Sequence, residues 1–591
     1  MTGLASPPLP TIRRRQQVRT VQDAASAAGY TPLQQRILAG RLSAHQAAEI
    51  RRAVRPQVAD LDHYGTLPDI ERAAERLVRA IVREENVIPC TDHDADGVSS
   101  HSVIRAAMLE VFHHPPDKLH SYCSVRKTEG YGVSEALAKR IVADGHRDGV
   151  VLTADQGSSD GARITWLAQQ GLETIVTDHH GIEGAGPRDA VAVVNPVRED
   201  SRFTDKSISG VHTAWLTMCA VRQQLMDMGR LPDNTPPLSN LLDYVALGSV
   251  ADCSDLGGSR NNRLVVNRGL HLMNTSPRPC WQALRETTGL NRAFDATDIA
   301  FSIGSRINAR GRMDEAMAGV RFLRAQTYEQ ALVLAQELEE NNNDRKATEK
   351  VMREFALNEG MRLREAGMRG LAIWLPEGHA GVHGIVSSRL VEAFGAPTVC
   401  ISPKAGNPDL ASGSVRTRAG FHVRDALARI NEAAPGLLVA WGGHTGAGGL
   451  TLRRNDIPAF QTLWDEQVRE SGISTEPAIE TDGPAGSTLD LGLLSEISAL
   501  GPYGRGFETP VFDDVFVVEG VREVGEGKHF KLELRPAAGG TTLAGIWFNP
   551  PAQWRQQMGQ GIRARLAYTL DANEFRGKTS LQAIIKTGEA V

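Results

Sequence analysis

The chain has 591 residues, 41% of them apolar and 23% charged, with a net charge of −5; this is the composition of an ordinary globular protein with room for about three to four domains. No run approaches the ~18 apolar residues of a membrane span, and the N-terminus MTGLASPPLPTIRRRQQVR lacks the apolar segment of a signal peptide, so a cytoplasmic protein with no membrane partner is expected. Six scattered cysteines without a C-x-x-C pair argue against a disulfide framework and a structural zinc site, and read as reduced, mostly buried thiols.

Taken in chain order, residues 1–60 carry nine Arg against three acids. The run TIRRRQQVR reads as a contact for a polyanion or, equally, as a solvated, mobile tail. From about residue 65 to 260, strand-like runs alternate with helical stretches: NVIPC (86–90), GVVLTA (149–154), ETIVT (173–177) and AVAVVNP (190–196). That alternation predicts a parallel sheet with crossover helices. Residues 327–366 are helical in pattern, free of Pro and with a single Gly at 360, and read as a connector. A second α/β unit follows, with strands LAIWL (371–375) and PTVCIS (397–402). ESGISTEPAIETDGPAG (470–486) is a linker by composition, and the last hundred residues alternate as short strands of a small β-barrel or sandwich.

The chemistry centres on TDHDADGVSS (91–100), which puts Asp92, Asp94 and Asp96 at alternate positions before Gly97. Carboxylates packed so closely repel one another, so a divalent cation is the leading explanation. The spacing opens like an EF-hand, but the position that should supply the closing Glu is Val103, and the context is strand, acidic turn, helix (100–112). Further strand ends carry Asp155 (ADQG) and Asp178, His179 and His180 (TDHHG), and the helix-like run LLDYVALGSVADCSDL presents Asp252 at its end. Strand ends of one parallel sheet share a rim, so these groups can converge. Carboxylates with imidazoles suit a Mn²⁺ or Mg²⁺ pair, the usual device for phosphoryl hydrolysis.

Read together, DHDADG, RKTEGYG (126–132), ADQG, TDHH, GSVADCSDL, SRINARGRMDEA (305–316), EGHAGVHGIVSSRLVEAFGAP (377–397), SGSVRTRAGFHVRDAL, WGGHTGAGG (441–449) and LGPYGRGFETPVF (500–512) resemble the DHH phosphoesterase family. Within it they are similar to the branch of single-strand-specific 5′→3′ DNA exonucleases of repair and recombination. The resemblance implies an α/β fold in five parts: a basic extension (1–64), a DHH domain with a parallel sheet (65–325), a connecting helix (326–366), a DHHA1-type α/β domain (367–465) and an OB-type barrel (466–591). It implies two ions, Mn²⁺ or Mg²⁺, held by Asp94, Asp96, Asp155, His179 and Asp252, with Asp155 bridging and Asp92 a ligand or a support. His180 is left to touch the phosphate or act as general acid. Ser414 and Arg416, with Arg126, correspond to a clamp on a terminal 5′-phosphate, and the glycine stretch to a phosphate-binding loop beside His444. Arg306, Asn308, Arg312 and Arg345 are weaker candidates for strand contacts. Implied partners are single-stranded DNA, a single-strand-binding protein and a helicase, with the chain itself a monomer.

The sequence departs from the family at Arg310, at Gly448 and in CSDL, none of which removes a ligand. Two other readings stay open: a non-catalytic nucleic-acid-binding relative, which lost ligands would favour, and a phosphodiesterase for nanoRNA or cyclic dinucleotides, which generally lacks an OB domain. ANEFRGKT (572–579) resembles a phosphate loop only loosely, since SLQAIIK after it alternates like a strand.

Overall fold

The computed structural model describes residues 7–125, 129–313, 317–486, 488–575 and 577–591, with the backbone alone at 310–313 and 575. The chain divides into two units. One comprises residues 18–343 and 498–509; the other comprises 344–497 and 510–591, together with the segment before Val18. The first strand, β1 (Thr11–Arg14), belongs to the latter.

The unit of 18–343 is built on a five-stranded, wholly parallel sheet of β2 (Val87–Thr91), β3 (Tyr122–Cys123), β4 (Val150–Ala154), β5 (Glu173–Thr177) and β6 (Ala192–Val194), in the order β3-β2-β4-β5-β6. β2 and β4 are buried at every residue, which is why they read as unbroken apolar runs and not as alternating ones. Pro89 sits inside β2, between two neighbours. Val87 and Thr91 turn their carbonyls toward the β3 side, accepting from His120 and Ser124, so the N–H that Pro89 lacks faces that short, sparsely bonded strand. One core packs Ile88, Cys90 and Val151 against Leu137, Ile141 and Leu167 of the helices Glu135–Ala143 and Gly161–Gln169. The helices Ala95–Ala106, Gly210–Asp227 and Leu242–Ala251 pack against one another and are buried over most of their surface.

The helix Tyr328–Glu365 carries the chain from one unit into the other, as expected of a connector. In the second unit β7 (Leu371–Trp374), β8 (Thr398–Lys404), β9 (Asn407–Arg416), β10 (Leu438–Gly443) and β11 (Ala447–Arg453) form a mixed sheet in the order β10-β11-β9-β8-β7, parallel only between β7 and β8. The helix His383–Phe394 packs on β8 and β9. Beyond β12 (Ala478–Thr481), strands β13 (Phe512–Val524), β14 (His529–Pro536), β15 (Leu543–Phe548), β16 (Arg563–Phe575) and β17 (Lys578–Ala590) close a barrel in the order β13-β14-β15-β17-β16. This is the five-stranded arrangement of an OB-fold.

Three expectations are corrected. The basic N-terminal stretch is not a mobile tail: β1 pairs with β12, Arg14 reaches Asp513, and the helices Arg19–Ala27, Pro32–Ala39 and Ile50–Val54 follow. The same pairing puts a strand inside the segment read as linker, because Ala478, Ile479 and Thr481 are ordinary strand residues among turn formers. The glycine stretch is mainly hairpin, not loop: β10 and β11 pair from Trp441 to Gly449, leaving His444–Gly446 as the turn. ANEFRGKT joins β16 to β17, as its alternation indicated.

Candidate metal centre

β2 ends at Thr91 and the next helix already begins at Ala95, so the three acids of the motif take three different positions. Asp92 lies in the turn. Asp94 is the helix N-cap, its Oδ1 accepting from Asp96 N (2.9 Å) and Gly97 N (3.1 Å). Asp96 sits in the first turn, where a negative charge is favoured, and accepts from Gly210 N (2.8 Å) and Val211 N (2.9 Å) at the start of another helix. Gly97 is required by the tightness of this turn, since a Cβ there would stand 2.3 Å from the carbonyl oxygen of Asp92.

Asp155 follows β4 with φ +60°, a left-handed conformation that Asp tolerates better than most residues. Its Oδ1 lies 3.1 Å from His179 Nε2, which is 3.8 Å from Asp96 Oδ2; His179 Nδ1 is 3.8 Å from Asp252 Oδ2. Asp252 is the C-cap of Leu242–Ala251, the end of a helix where an acid is least favoured. Helical glycines press on the group: a Cβ on Gly210 would stand 2.6 Å from Asp155 Cβ, and one on Gly248 would stand 2.6 Å from Asp96 Oδ1.

Burial, and after it the neighbouring carboxylates, push Asp96 up to about 7 and hold Asp155 and Asp252 well above the usual carboxylate range. Such a cluster costs free energy unless cations neutralise it. Two sets of side chains with no member in common can each close on one ion, their ligand atoms within 4.8 Å of one another: Asp96, His179 and Asp252, and Asp92, Asp94 and Asp155. The donors are hard oxygens and one imidazole, which fits Mn²⁺ or Mg²⁺ and not a thiolate-seeking metal.

The two histidines are held differently. His180 Nδ1 lies 2.8 Å from Asp178 Oδ1, and that carboxylate also accepts from the backbone N–H of His179, His180 and Ser158. Burial opposes charging of the His180 imidazole, but Asp178, with Asp252 and Asp92, outweighs it and raises the group to about 9. For Asp178 the penalty of burial is likewise outweighed, by His180 above all, and its pKa is lowered. Sequence reading noted Asp178 at a strand end and gave it no role; His93, buried with Nδ1 2.8 Å from Asp92 Oδ1, was missed altogether. The available signal was the carboxylate directly before two histidines.

The remaining candidates divide. Arg306 is buried, ion-paired with Glu339 and bonded to Ser302 O, and Asn308 Oδ1 accepts from Ala95 N at 2.7 Å, buttressing the acidic turn. Both therefore serve the protein's own scaffold, which corrects their reading as strand contacts. Arg345 pairs with Glu349 along its helix. Ser414 and Arg416 end β9; Arg416 Nη1 donates to Val415 O (2.7 Å), and a Cβ on Gly384 would stand 2.5 Å from Arg416 Nη2, so the guanidinium lies against the first turn of His383–Phe394. His444 is exposed at the β10–β11 turn. Arg126 and the side chain of Arg312 lie outside the described residues.

Comparison with known proteins agrees with this geometry. The N-terminal domain of the DHH family matches residues 86–249, the DHHA1 domain 367–470 and the RecJ OB domain 485–587. The single-stranded-DNA-specific exonuclease RecJ of Escherichia coli is 35% identical over 587 residues, covering 97% of this chain and 98% of its own. That of Haemophilus influenzae is 33% identical over 529 residues, covering 87% and 90%. Among solved structures, RecJ in complex with Mn²⁺ from Thermus thermophilus superposes with a TM-score of 0.77 at 23% identity, covering 98% of this chain and 79% of that one. An exonuclease RecJ bound to manganese gives 0.55 at 27% identity, covering 70% and 96%. The chain belongs to the RecJ family of single-stranded-DNA-specific exonucleases.

Proposed function

We propose that the protein removes nucleotides from the 5′ end of single-stranded DNA by hydrolysis at two divalent ions, Mn²⁺ or Mg²⁺. The observation that carries this reading is the pair of separate ligand sets, Asp96–His179–Asp252 and Asp92–Asp94–Asp155, filled at every position on one sheet rim. When bound, the ions supply a water of lowered pKa and positive charge at the phosphoryl oxygens. Asp155, beside both sets, bridges them. Asp178 fixes His180 through Nδ1 and keeps it protonated, so its Nε2 can neutralise the phosphate or give a proton to the departing 3′-oxygen.

A metal centre sees the same diester from either direction, so polarity needs recognition of an end. Arg416 beside the N-terminal turn of His383–Phe394, with Ser414 and Arg126, offers a fork, a hydroxyl and backbone donors to a 5′-phosphate. Cytoplasmic action in repair and recombination, as a monomer alongside a single-strand-binding protein and a helicase, is part of the same proposal and rests on family membership.

The test is kcat/KM on 5′-phosphorylated and 5′-hydroxyl strands with Mn²⁺, Mg²⁺ or EDTA. Wild type is expected to require metal and to release nucleotides from the 5′ end. Arg416→Ala is expected to cost the phosphorylated strand about 1.5–3 kcal/mol more than the hydroxyl strand. Equal loss on both would make Arg416 a general backbone contact.

A further inference from the structure

The folded part of the basic N-terminal stretch encloses a cavity of about 730 Å³ whose lining includes Tyr30, Gln34, Arg51, Arg52, Arg55 and Gln57. None of these residues belongs to the metal centre. One acid, Asp60, shares the lining, and it is already engaged: its Oδ1 lies 3.2 Å from Arg52 Nε, and Arg52 also meets Glu49 at 3.3 Å. Arg51 and Arg55 form no ion pair among the described residues. Each gives a single side-chain bond to a backbone carbonyl, Ala28 O at 3.0 Å and Ala499 O at 2.7 Å.

A further cation stands close by. Arg263 is buried, is bonded to the carbonyls of Val54, Leu256, Leu500 and Pro502, lies over the Phe507 ring at 4.2 Å, and meets no carboxylate among the described residues. Its charge, like those of Arg51 and Arg55, reaches Tyr30. A five-residue helix, Ile50–Val54, carries only a small dipole and does not by itself call for three guanidiniums at its end. Tyr30 adds a half-buried ring and a hydroxyl bonded to no described residue.

We propose that this cavity is a second contact for single-stranded nucleic acid, holding a phosphodiester between Arg51 and Arg55 with a base against Tyr30. The choice of polyanion rests on the exonuclease reading; the choice between nucleic acid and an acidic peptide rests on the lining. Charge, amide donors and one π-face suit phosphates and a stacked base, while the small Ala28 and Ala59 give a peptide's apolar side chains nothing to fill. A chain of net charge −5 does not attract a polyanion as a whole, so a strand is retained by local sites of this kind.

The experiment measures binding and hydrolysis of a long and a very short 5′-phosphorylated single strand across a salt series, for wild type, R51A/R55A, R51Q/R55Q and Y30A. The Gln pair keeps donors for the two carbonyls and so guards against unfolding. Both double variants are expected to bind the long strand more weakly, on the order of tenfold, with the slope of log K against log salt smaller by about 1.4, or 0.7 for each lost phosphate contact. Y30A should weaken the long strand without changing that slope. Metal-dependent hydrolysis of the very short strand should match wild type in every variant, which separates this proposal from the exonuclease reading itself. Unchanged long-strand affinity and slope in R51Q/R55Q would overturn it, as would equal loss on both lengths, or loss of binding to an acidic peptide alone.

Discussion

His179 and His180 are neighbours in sequence, yet their surroundings give them opposite tasks. His179 has carboxylates of both ligand sets within 3.8 Å and serves as a neutral ligand, whereas His180 is tied through Nδ1 to Asp178 and stays charged. His180→Ala is therefore expected to retain bound metal and to lose rate by about 10²–10⁴-fold, and His179→Ala to lose metal first. Asp178→Asn keeps the shape but removes the charge that sustains the imidazolium, so a loss of about 10–100-fold in kcat is expected with metal content unchanged. Metal analysis beside single-turnover rates checks both; equal metal loss in His179→Ala and His180→Ala would show that the histidines do not divide the work. The metal-ligand candidates were legible because chemistry-bearing residues stand at strand ends, where side chains from distant segments meet. Asp178 was harder to read: its role comes from three backbone N–H groups and an imidazole closing around it, which spacing alone does not reveal.

At the scale of elements, the strands of the parallel sheet were legible, since burial on both faces leaves an apolar run that few other structures require. The helix after the acidic turn was read as starting near Ser100 but starts at Ala95, because a helix buried nearly all round has no polar stripe to mark its phase and its true signal is the N-cap Asp94. β1 and β12 were not legible, because short strands paired over several hundred residues leave no local signature. Their junction carries a pH dependence. Asp513, buried beneath β1 and β12, accepts from Thr481, Arg14 and Arg565; the penalty of burial is outweighed by these donors, and its pKa is lowered. A group lowered on folding contributes stability that is full above the ordinary value of 3.8 and is lost as pH falls through the folded value. Asp513→Asn is expected to cost about 2 kcal/mol near neutral pH and to flatten the acid limb of the denaturant-midpoint curve. An acid limb as steep as that of wild type would remove Asp513 from this account.

For the molecule as a whole, function and stability oppose one another at the metal centre until the ions arrive. Asp96, Asp155 and Asp252 are buried within reach of each other's charge, so the metal-free protein carries repulsion that bound cations remove. Melting temperature is expected to rise with added Mn²⁺, by the equivalent of about 2.7 kcal/mol at a hundred times the dissociation constant. In EDTA, Asp155→Ala should melt no lower than wild type, and it should gain less from Mn²⁺ while losing hydrolysis. Calorimetry with and without metal decides the point; a metal-free Asp155→Ala protein markedly less stable than metal-free wild type would mean that the carboxylate acts as scaffold and not as ligand.

β1 has a consequence for how the protein comes into being. Thr11–Arg14 must wait for Ala478–Thr481 before it can become a strand, and Ile12 N donates to Glu589 Oε1 at 2.8 Å, a group made later still. During synthesis the helices of 19–54 and the metal-binding unit can fold as they emerge, while the four residues ahead of them remain an unpaired ribbon until nearly the entire polypeptide has been translated. The earliest strand to be made is thus among the last to settle, and a ribosome stalled anywhere before the barrel releases a chain with an open edge at its front, a ready mark for proteolytic disposal of unfinished copies.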